Sequence, residues 1–500
     1  MYNYPLLLCV KQTWEGEWWL PDNPENRLVG TLNYDGEGGL ILSLAGTFDR
    51  EVDTSGNYRV LLGEKEWPVI YGRSGQCNIT LLETNTDTRV LWPIGLQNTI
   101  KNPCCPVVAN YAIIGAHVNG GSCESFNMAE FSFEGLRQWA GVAAFGMTLG
   151  EGGCERAGEV RNDNGVWYNL LRTSLNFTDN SSSVKASESE LEVFLRVTSK
   201  RLFTLDDVLT QVDMLHSLVA FATTSCAGVT WLRLGLSEVG TSSSGESKRA
   251  HLLYHPVAFG CRNAGKINAS RMLFTCDSFS FETAVRNWLD IYAENQGVIS
   301  IILSMIYDPD RYAEDKVLLA AVAGEALYKT LRQTEDVNCL EESIEYREWQ
   351  NKKKYIVKIL KEGGVEDCEQ WLPKQPRPKK VIKRVTFVES LSNLAKRLDS
   401  QVCSELVVDV KSWASKLKTM RNSFVHDAKF SEQISTSYAI ANVTIMVVIF
   451  NLLKELGVPT EQQLKIMRQH PEAKKASRFA RKYLEESQSD SGELDATTNS

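Results

Sequence analysis

The sequence MRNSFVH at residues 420–426 closes a helix that the hydrophobic pattern predicts over residues 401–427. Apolar side chains enter it at alternating spacings of four and three, which is the stripe of a helix facing a protein core. The stripe consists of Leu406, Val410, Trp413, Leu417, Met420 and Phe424. This part of the chain is therefore predicted to form an all-α bundle.

Three polar residues of the heptapeptide lie off that stripe. At about 100° per residue, Asn422 and His426 point away from the bundle core, and Arg421 lies at its boundary. Arg421 and His426 are about 140° apart around the helix axis, so the two side chains need not meet within one helix. Two copies of the helix packed across a two-fold axis would bring both pairs into one cleft.

These residue types suit RNA cleavage. Histidine titrates near neutral pH and can take or give a proton, and arginine stays charged and grips a phosphate through a planar fork of donors. RNA carries its own nucleophile, the 2′-hydroxyl, so no metal is required. The heptapeptide alone leaves a structural interpretation open, because a histidine near a helix C-terminus also interacts favourably with the helix dipole.

Composition predicts a soluble protein of two or three domains. The net charge of −8 excludes a uniformly basic nucleic-acid binder but not a local basic site. The twelve cysteines form no C-x-x-C and no Cys/His cluster with zinc spacing, which predicts reduced thiols, no metal cofactor and a cytoplasmic location. The N-terminus lacks the positive start of a signal peptide, and the apolar stretch 439–453 is too short to span a bilayer, so no membrane anchor is expected.

Residues 1–280 read as mostly β, because short apolar runs alternate with turn signals. Strands at 27–34 and 40–47 flank a Gly-rich hairpin loop, and a further strand is predicted at 89–92. One helix is predicted near 205–223, where Thr204 and Asp207 have the spacing of an N-cap pair. The Ser/Gly-rich loop at 240–247 is expected to be mobile. The fold class is therefore α+β, with a sandwich-like β-rich sensor or regulatory region first.

From residue 281 the period becomes helical, and the predicted helical domain extends to residue 486, followed by a disordered tail at 487–500. The predicted helices are 281–295, 297–306, 311–333, 340–362, 386–398, 401–427, 431–456 and 460–485. Glu325 is the only charged residue in the apolar run 317–328, where a carboxylate is costly without a partner. Arg421 is the candidate partner; a structural ion pair with another cation, or an edge position reaching solvent, is the alternative.

Two basic stretches are candidate contacts for an RNA backbone. Residues 374–384 carry six positive charges and no acid, and from these we single out Lys379, Lys380, Lys383 and Arg384. Residues 465–482 carry seven positive charges against one acid. A charged run is also typical of a solvated helix face, so the pattern does not decide between the two.

These features resemble the ApeA-type HEPN proteins of bacterial anti-phage defence. The likeness rests on Trp288 in a helix opening the helical domain, on Glu325, and on the R-N-x-x-x-H string at residues 421–426. The front half, with W-x-G-x-W-W-L-P at residues 14–21, is similar to the N-terminal domain that accompanies it.

The resemblance implies a metal-independent endoribonuclease that halts host growth on phage infection and dimerises, or assembles further, through its active site. Arg421 and His426 would be catalytic, Asn422 would orient His426 or the phosphate, and Glu325 would position Arg421. RNA, with tRNA among the candidates, would be the substrate and a phage-derived molecule the trigger. Catalytically silent relatives exist, so the alternative is a non-catalytic scaffold whose front half recognises a phage component.

Overall fold

The computed structural model divides the chain into two compact units, Met1–Tyr292 and Ala293–Ser500, and each is described by itself. The described residues are 5–48, 50–52, 58–60, 65–86, 104–123, 125–141, 154–176, 189–237, 248–260, 267–338, 344–364, 385–427 and 434–484. Four predicted segments lie outside them, namely the strand 89–92, the loop 240–247, the basic stretch 374–384 and the tail 487–500.

The first unit is built almost entirely of antiparallel strands. They are β1 Gln12–Leu20, β2 Asn23–Tyr34, β3 Leu40–Ala45, β4 Arg50–Val52, β5 Tyr58–Val60, β6 Glu66–Ser74, β7 Cys77–Thr86, β8 Cys104–Ile114, β9 Phe126–Phe133, β10 Cys154–Arg161, β11 Trp167–Asn176, β12 Ser189–Phe203, β13 Val229–Leu236 and β14 Arg249–Tyr254. The helices described here are α1 Leu136–Ala140, α2 Leu205–Thr223 and the start of α3 Phe281–Tyr307.

Six strands close into a barrel. Their order is β8-β3-β2-β1-β6-β7, and β7 pairs back onto β8, so the ring of backbone hydrogen bonds is complete. Trp18 fills the interior without exposure, and its indole N–H donates to the carbonyl of Gly30 at 3.1 Å. A Cβ at Gly72 would stand 2.3 Å from the Trp18 ring, so only glycine lets β6 pass this close. The β-rich front half is confirmed, and this part of it is a barrel.

Six further strands extend the barrel wall into a sheet in the order β14-β13-β9-β12-β11-β10, starting from β8, while β4 and β5 pair with each other in a separate two-stranded sheet. Helix α2 packs against β9 and β12 and buries Val208, Val212 and Leu215. Its predicted capping pair is confirmed: the Thr204 hydroxyl accepts from the backbone N–H of Asp207, and the Asp207 carboxylate accepts from that of Thr204. Two orphan donors of the first turn are satisfied in this way.

Trp288 lies in the first unit, not at the start of the helical one. Its buried indole N–H points to two acceptors on α2, the carbonyl of Met214 at 3.2 Å and the hydroxyl of Ser217 at 3.0 Å. Its ring also packs on Phe221, with the centroids 5.1 Å apart. Trp288 therefore stands in the predicted helix, and its side chain is held by α2 of the first unit.

The second unit is helical, which confirms that part of the predicted fold class. Its described helices, after the end of α3, are α4 Ala313–Asn338, α5 Ile344–Glu362, α6 Phe387–Lys396, α7 Ser400–Leu406, α8 Val410–Asp427, α9 Ile434–Leu456, α10 Thr460–Gln469 and α11 Pro471–Tyr483. Helix α3 has a kink at Asn295, where two helices were predicted.

Helix α9 forms the core of the second unit and contacts α4, α6, α7, α8, α10 and α11. By length and composition it could cross a membrane, but 78% of its most apolar window is buried inside the unit, as is usual for the core helix of a globular domain. Among the described residues it is the one helix that passes this test.

Two predicted helices are each divided in the structure. The helix predicted at 401–427 is interrupted at Val407, and a new helix, α8, begins at Val410. Asp409 precedes α8, and its carboxylate accepts from the backbone N–H groups of Lys411 and Ser412. The helix predicted at 460–485 breaks at Pro471, which cannot donate the backbone bond that a continuous helix needs and stands instead at the first turn of α11.

Candidate active site in the helical unit

Arg421 and Glu325 form an ion pair between α8 and α4. Arg421 follows the buried Met420 by one position, so its long side chain leaves the core edge and crosses to the neighbouring helix. Its Nη1 lies 3.3 Å from Oε2 of Glu325, and the two side chains are 34% and 26% exposed. The pairing expected from the apolar surroundings of Glu325 is present.

Glu325 has a second cationic partner that sequence reasoning missed. Nζ of Lys329 lies 2.9 Å from its other oxygen, Oε1. The two residues are one helical turn apart on α4, and that spacing alone predicts such a pair. Each carboxylate oxygen therefore faces a different cation, and the contact with Lys329 is the more exposed of the two.

The guanidinium of Arg421 also stacks on an aromatic ring. Its Cζ lies 4.8 Å from the ring centroid of Phe387, a cation–π distance. Phe387 opens α6, whose start is held by a capping box between Thr386 and Glu389. Sequence reasoning did not single out Phe387; the T-x-x-E signature beside it was the local signal that a helix begins there.

Close packing of the supporting helices sets this geometry. A Cβ at Gly324 would stand 2.8 Å from Cδ2 of Leu391, so the glycine lets α4 and α6 approach each other beside Glu325. On α8, the buried indole of Trp413 donates to the Thr444 hydroxyl of α9 at 3.0 Å. The two helices that carry the ion pair are thus held by tight contacts within the core.

Arg421 is positioned but still accessible. Glu325 lies at one edge of the guanidinium and Phe387 on one face, while about a third of the side chain remains exposed. A planar fork of donors held in this way can receive a phosphate oxygen along its exposed edge. The arrangement is therefore chemically suited to binding a phosphodiester.

The other predicted site residues are placed less completely. Asn422 is exposed on α8, as its position around the helix predicts, and His426 belongs to the last turn of α8. The side chain of His426 lies outside the described residues, and so do Lys379, Lys380, Lys383 and Arg384. The roles assigned to these residues remain predictions.

The second basic stretch borders a surface cavity of about 370 Å³ between α7, α10 and α11. Its lining includes Arg468, Lys474 and Arg478 together with Glu405. The Arg468 guanidinium donates to Glu405 at 2.8 Å, which neutralises one of the three cations. Within the described ranges, no group of three or more His, Cys, Asp or Glu side chains is arranged to hold a metal ion.

Comparison with known families agrees with this architecture. A family model for ApeA N-terminal domain 1 matches residues 13–288, and one for Apea-like HEPN matches residues 318–462. The second match contains Glu325, Arg421, Asn422 and His426. Comparisons with curated proteins and with solved structures returned no match.

The fold and the matches define the class of protein as a β-rich region followed by a HEPN helical domain. Since the first match alone spans more than half of the 500 residues, the chain belongs to the ApeA family. At the level of the family, this architecture is that of a defence-associated HEPN nuclease. HEPN domains are usually ribonucleases, and they typically act on RNA and dimerise.

Proposed function

We propose that this protein is a metal-independent endoribonuclease of an anti-phage, abortive-infection system in the cytoplasm. The observation that carries the proposal is the partly exposed guanidinium of Arg421, held by Glu325 and Phe387 on the helix that bears R-N-x-x-x-H. A phosphate clamp needs an accessible cation, and Arg421 provides one beside an exposed Asn422.

In the proposed reaction, Arg421 holds the scissile phosphate and His426 handles protons. One imidazole takes the proton of the 2′-hydroxyl as its oxygen attacks phosphorus, and a second, protonated imidazole gives its proton to the departing 5′-oxygen. The P–O2′ bond forms and the P–O5′ bond breaks, which leaves a 2′,3′-cyclic phosphate and a 5′-hydroxyl. Asn422 orients His426 or the phosphate, and Glu325 positions Arg421.

Two imidazoles require two copies of the chain, so we propose a homodimer, or a higher assembly, in which two α8 helices share one cleft. The basic residues 374–384, including Lys379, Lys380, Lys383 and Arg384, would hold the RNA backbone outside this cleft. We assign the control of cleavage to the β-rich front half, which would respond to a phage-derived trigger.

The test is cleavage of total RNA, with a tRNA arm, by the purified full-length protein with and without EDTA. We expect EDTA-resistant cleavage with cyclic phosphate ends. Arg421→Ala and His426→Ala should each lower the rate by about a hundredfold or more. Lys418→Ala is the matched control, because Lys418 is an exposed cation on the same helix, and it should cleave normally.

Unchanged cleavage by both active-site variants would refute the mechanism, and loss of cleavage in EDTA would contradict its metal independence. Absence of any cleavage under triggering conditions would favour the non-catalytic scaffold instead. In cells, both alanine variants should lose toxicity and protection against phage. The purified variants should keep the melting temperature of the wild-type protein.

A further inference from the structure

A buried carboxylate in the first unit is surrounded by three arginines. Glu130 on β9 is fully buried. Nη2 of Arg196 lies 2.7 Å from its Oε1, while Nη2 of Arg233 and Nε of Arg249 lie 3.0 Å and 3.4 Å from its Oε2. The cations come from β12, β13 and β14, three different strands of the sheet that extends the barrel. We call this group the arginine cluster.

Strand register brings these side chains together. Arg196 and Arg233 are each directly opposite Glu130, one on either side of β9, so all three project from the same face of the sheet. Arg249 pairs with Gly235 on β13, two residues from Arg233, and two residues is the repeat that returns a side chain to that face. The convergence therefore follows from the pairing of the strands and not from chance contacts between loops.

The arginine cluster has an excess of positive charge. Three guanidiniums against one carboxylate leave +3 − 1 = +2, and every ion pair described for the three arginines is with Glu130. Burial lowers the pKa of Arg233, as do the charges of Arg249 and Arg196, while Glu130 opposes the shift. Nε of Arg233 is buried and has no acceptor among the described residues. The guanidiniums of Arg196 and Arg233 also lie over the rings of Phe194 and Trp231, but these contacts leave the net charge unchanged. Net charge and an unmet donor are both unfavourable in a protein interior.

The arginine cluster is open to solvent on one side. Beside it on the same face, Leu171, Phe194 and Trp231 form an apolar group against which Leu7 packs. On the open side the Arg196 and Arg249 side chains are 28% and 40% exposed, although Arg233 is only 9% exposed. A small anion can therefore reach the exposed guanidinium groups of Arg196 and Arg249, which the buried Glu130 holds in place.

We propose that the arginine cluster binds a dianionic phosphate group, supplied as inorganic phosphate or as the phosphate monoester of a nucleotide. Two negative charges would cancel the excess of two positive charges, which a single carboxylate would not. Tetrahedrally arranged oxygens can also accept from guanidiniums that approach from several directions, and arginine forks suit this geometry. The site lies in the first unit and is independent of the nuclease proposal.

The test is binding of inorganic phosphate and of adenosine 5′-monophosphate to the full-length protein, with sodium chloride at matched ionic strength as reference. Both ligands should bind and raise the melting temperature of the first unit with concentration, because a ligand that binds only the folded state stabilises it. Tighter binding of the monophosphate would identify a nucleotide as the source, and equal affinities would identify free phosphate. Failure of both to bind beyond the chloride reference would overturn the proposal.

Two variants separate an anion site from a purely structural cluster. Arg249→Gln should weaken phosphate binding about tenfold, the equivalent of losing roughly 1.4 kcal/mol. The matched control is Arg27→Gln, since Arg27 pairs with Glu17 at an exposed position in the same unit and should leave binding unchanged. Equal weakening by both substitutions would count against the site, because it would show a nonspecific effect of net charge.

Glu130→Gln gives a prediction of opposite sign. Removing the carboxylate raises the excess charge from +2 to +3, so phosphate should stabilise this variant more than it stabilises the wild type. A purely structural cluster predicts that the variant is destabilised to the same extent with and without phosphate. If Glu130→Gln does not fold in phosphate, the comparison of Arg249→Gln with Arg27→Gln decides the question alone.

Discussion

Replacing Glu325 by glutamine tests whether the ion pair in the helical unit positions a working arginine. The substitution keeps the shape of the side chain and removes its charge. Arg421 loses the partner at 3.3 Å and Lys329 the partner at 2.9 Å. Both pairs are partly exposed, and Lys329 is 67% exposed, so together they contribute only about 1 kcal/mol to stability.

The expected effect on cleavage is much larger than the effect on stability. Without Glu325, the guanidinium keeps its stacking on Phe387 but loses the contact that fixes its rotation in the plane. A displacement of about 1 Å at a catalytic group lowers a rate by as much as about a hundredfold. We therefore expect a loss of roughly 10- to 100-fold in the single-turnover rate of RNA cleavage, with the midpoint of urea unfolding almost unchanged.

Lys329→Gln is the control for this experiment. It removes the other ion pair of the same carboxylate at a more exposed position, so it should change stability by less than about 0.5 kcal/mol and leave the cleavage rate within about twofold. Wild-type cleavage by Glu325→Gln, in a protein whose Arg421→Ala variant is inactive, would refute the reasoning. Glu325 would then be an ordinary surface partner of two cations.

Two further predictions concern the first unit. Trp288→Phe keeps an aromatic ring at this position but removes part of the buried indole and the N–H that faces Met214 and Ser217. It should lower stability by at least about 1–2 kcal/mol in urea unfolding followed by fluorescence, and an unchanged midpoint would contradict this. His216 is buried, and burial lowers its pKa, so at mildly acidic pH the folded state binds fewer protons at this residue than the unfolded state does. Stability should therefore fall as the pH drops below about 6.5, by up to roughly 1.4 kcal/mol per pH unit for this group; a His216→Gln variant with an equally steep decline between about pH 7 and 5 would exclude it as the cause.

Local signals in the sequence were sufficient for some elements. Helix α2 was predicted at its observed bounds because a capping pair and a regular apolar spacing are both encoded within twenty residues. The Glu325–Arg421 pair was predictable because a lone carboxylate in an apolar helix needs a cation. The buried positions of Trp413, Leu417 and Met420 follow from the helical period in the same way.

Other features depend on contacts between distant segments, which periodicity does not report. Alternation along a strand predicts which face is buried but not which strand is its neighbour, so the pairing of β7 with β8 that closes the barrel was not predictable. The break after Val407 was missed because the apolar stripe continues across it, while Asp409 competes locally as a cap. Phe387 was missed because a cation–π contact requires two helices to be placed first.

Thr444 has a consequence for how mutations can silence the site. Its hydroxyl accepts from Trp413 of α8, donates to the carbonyl of Ile440, and its methyl group faces Gly324 of α4. The two helices that carry Glu325 and Arg421 thus both contact the buried Thr444 of α9, although Thr444 itself contacts neither residue among the described contacts. A genetic selection for non-toxic alleles should therefore recover substitutions at Thr444 as well as at the exposed charged residues. A substitution at Thr444 would shift α8 and move Arg421 out of position while leaving the arginine itself in the sequence.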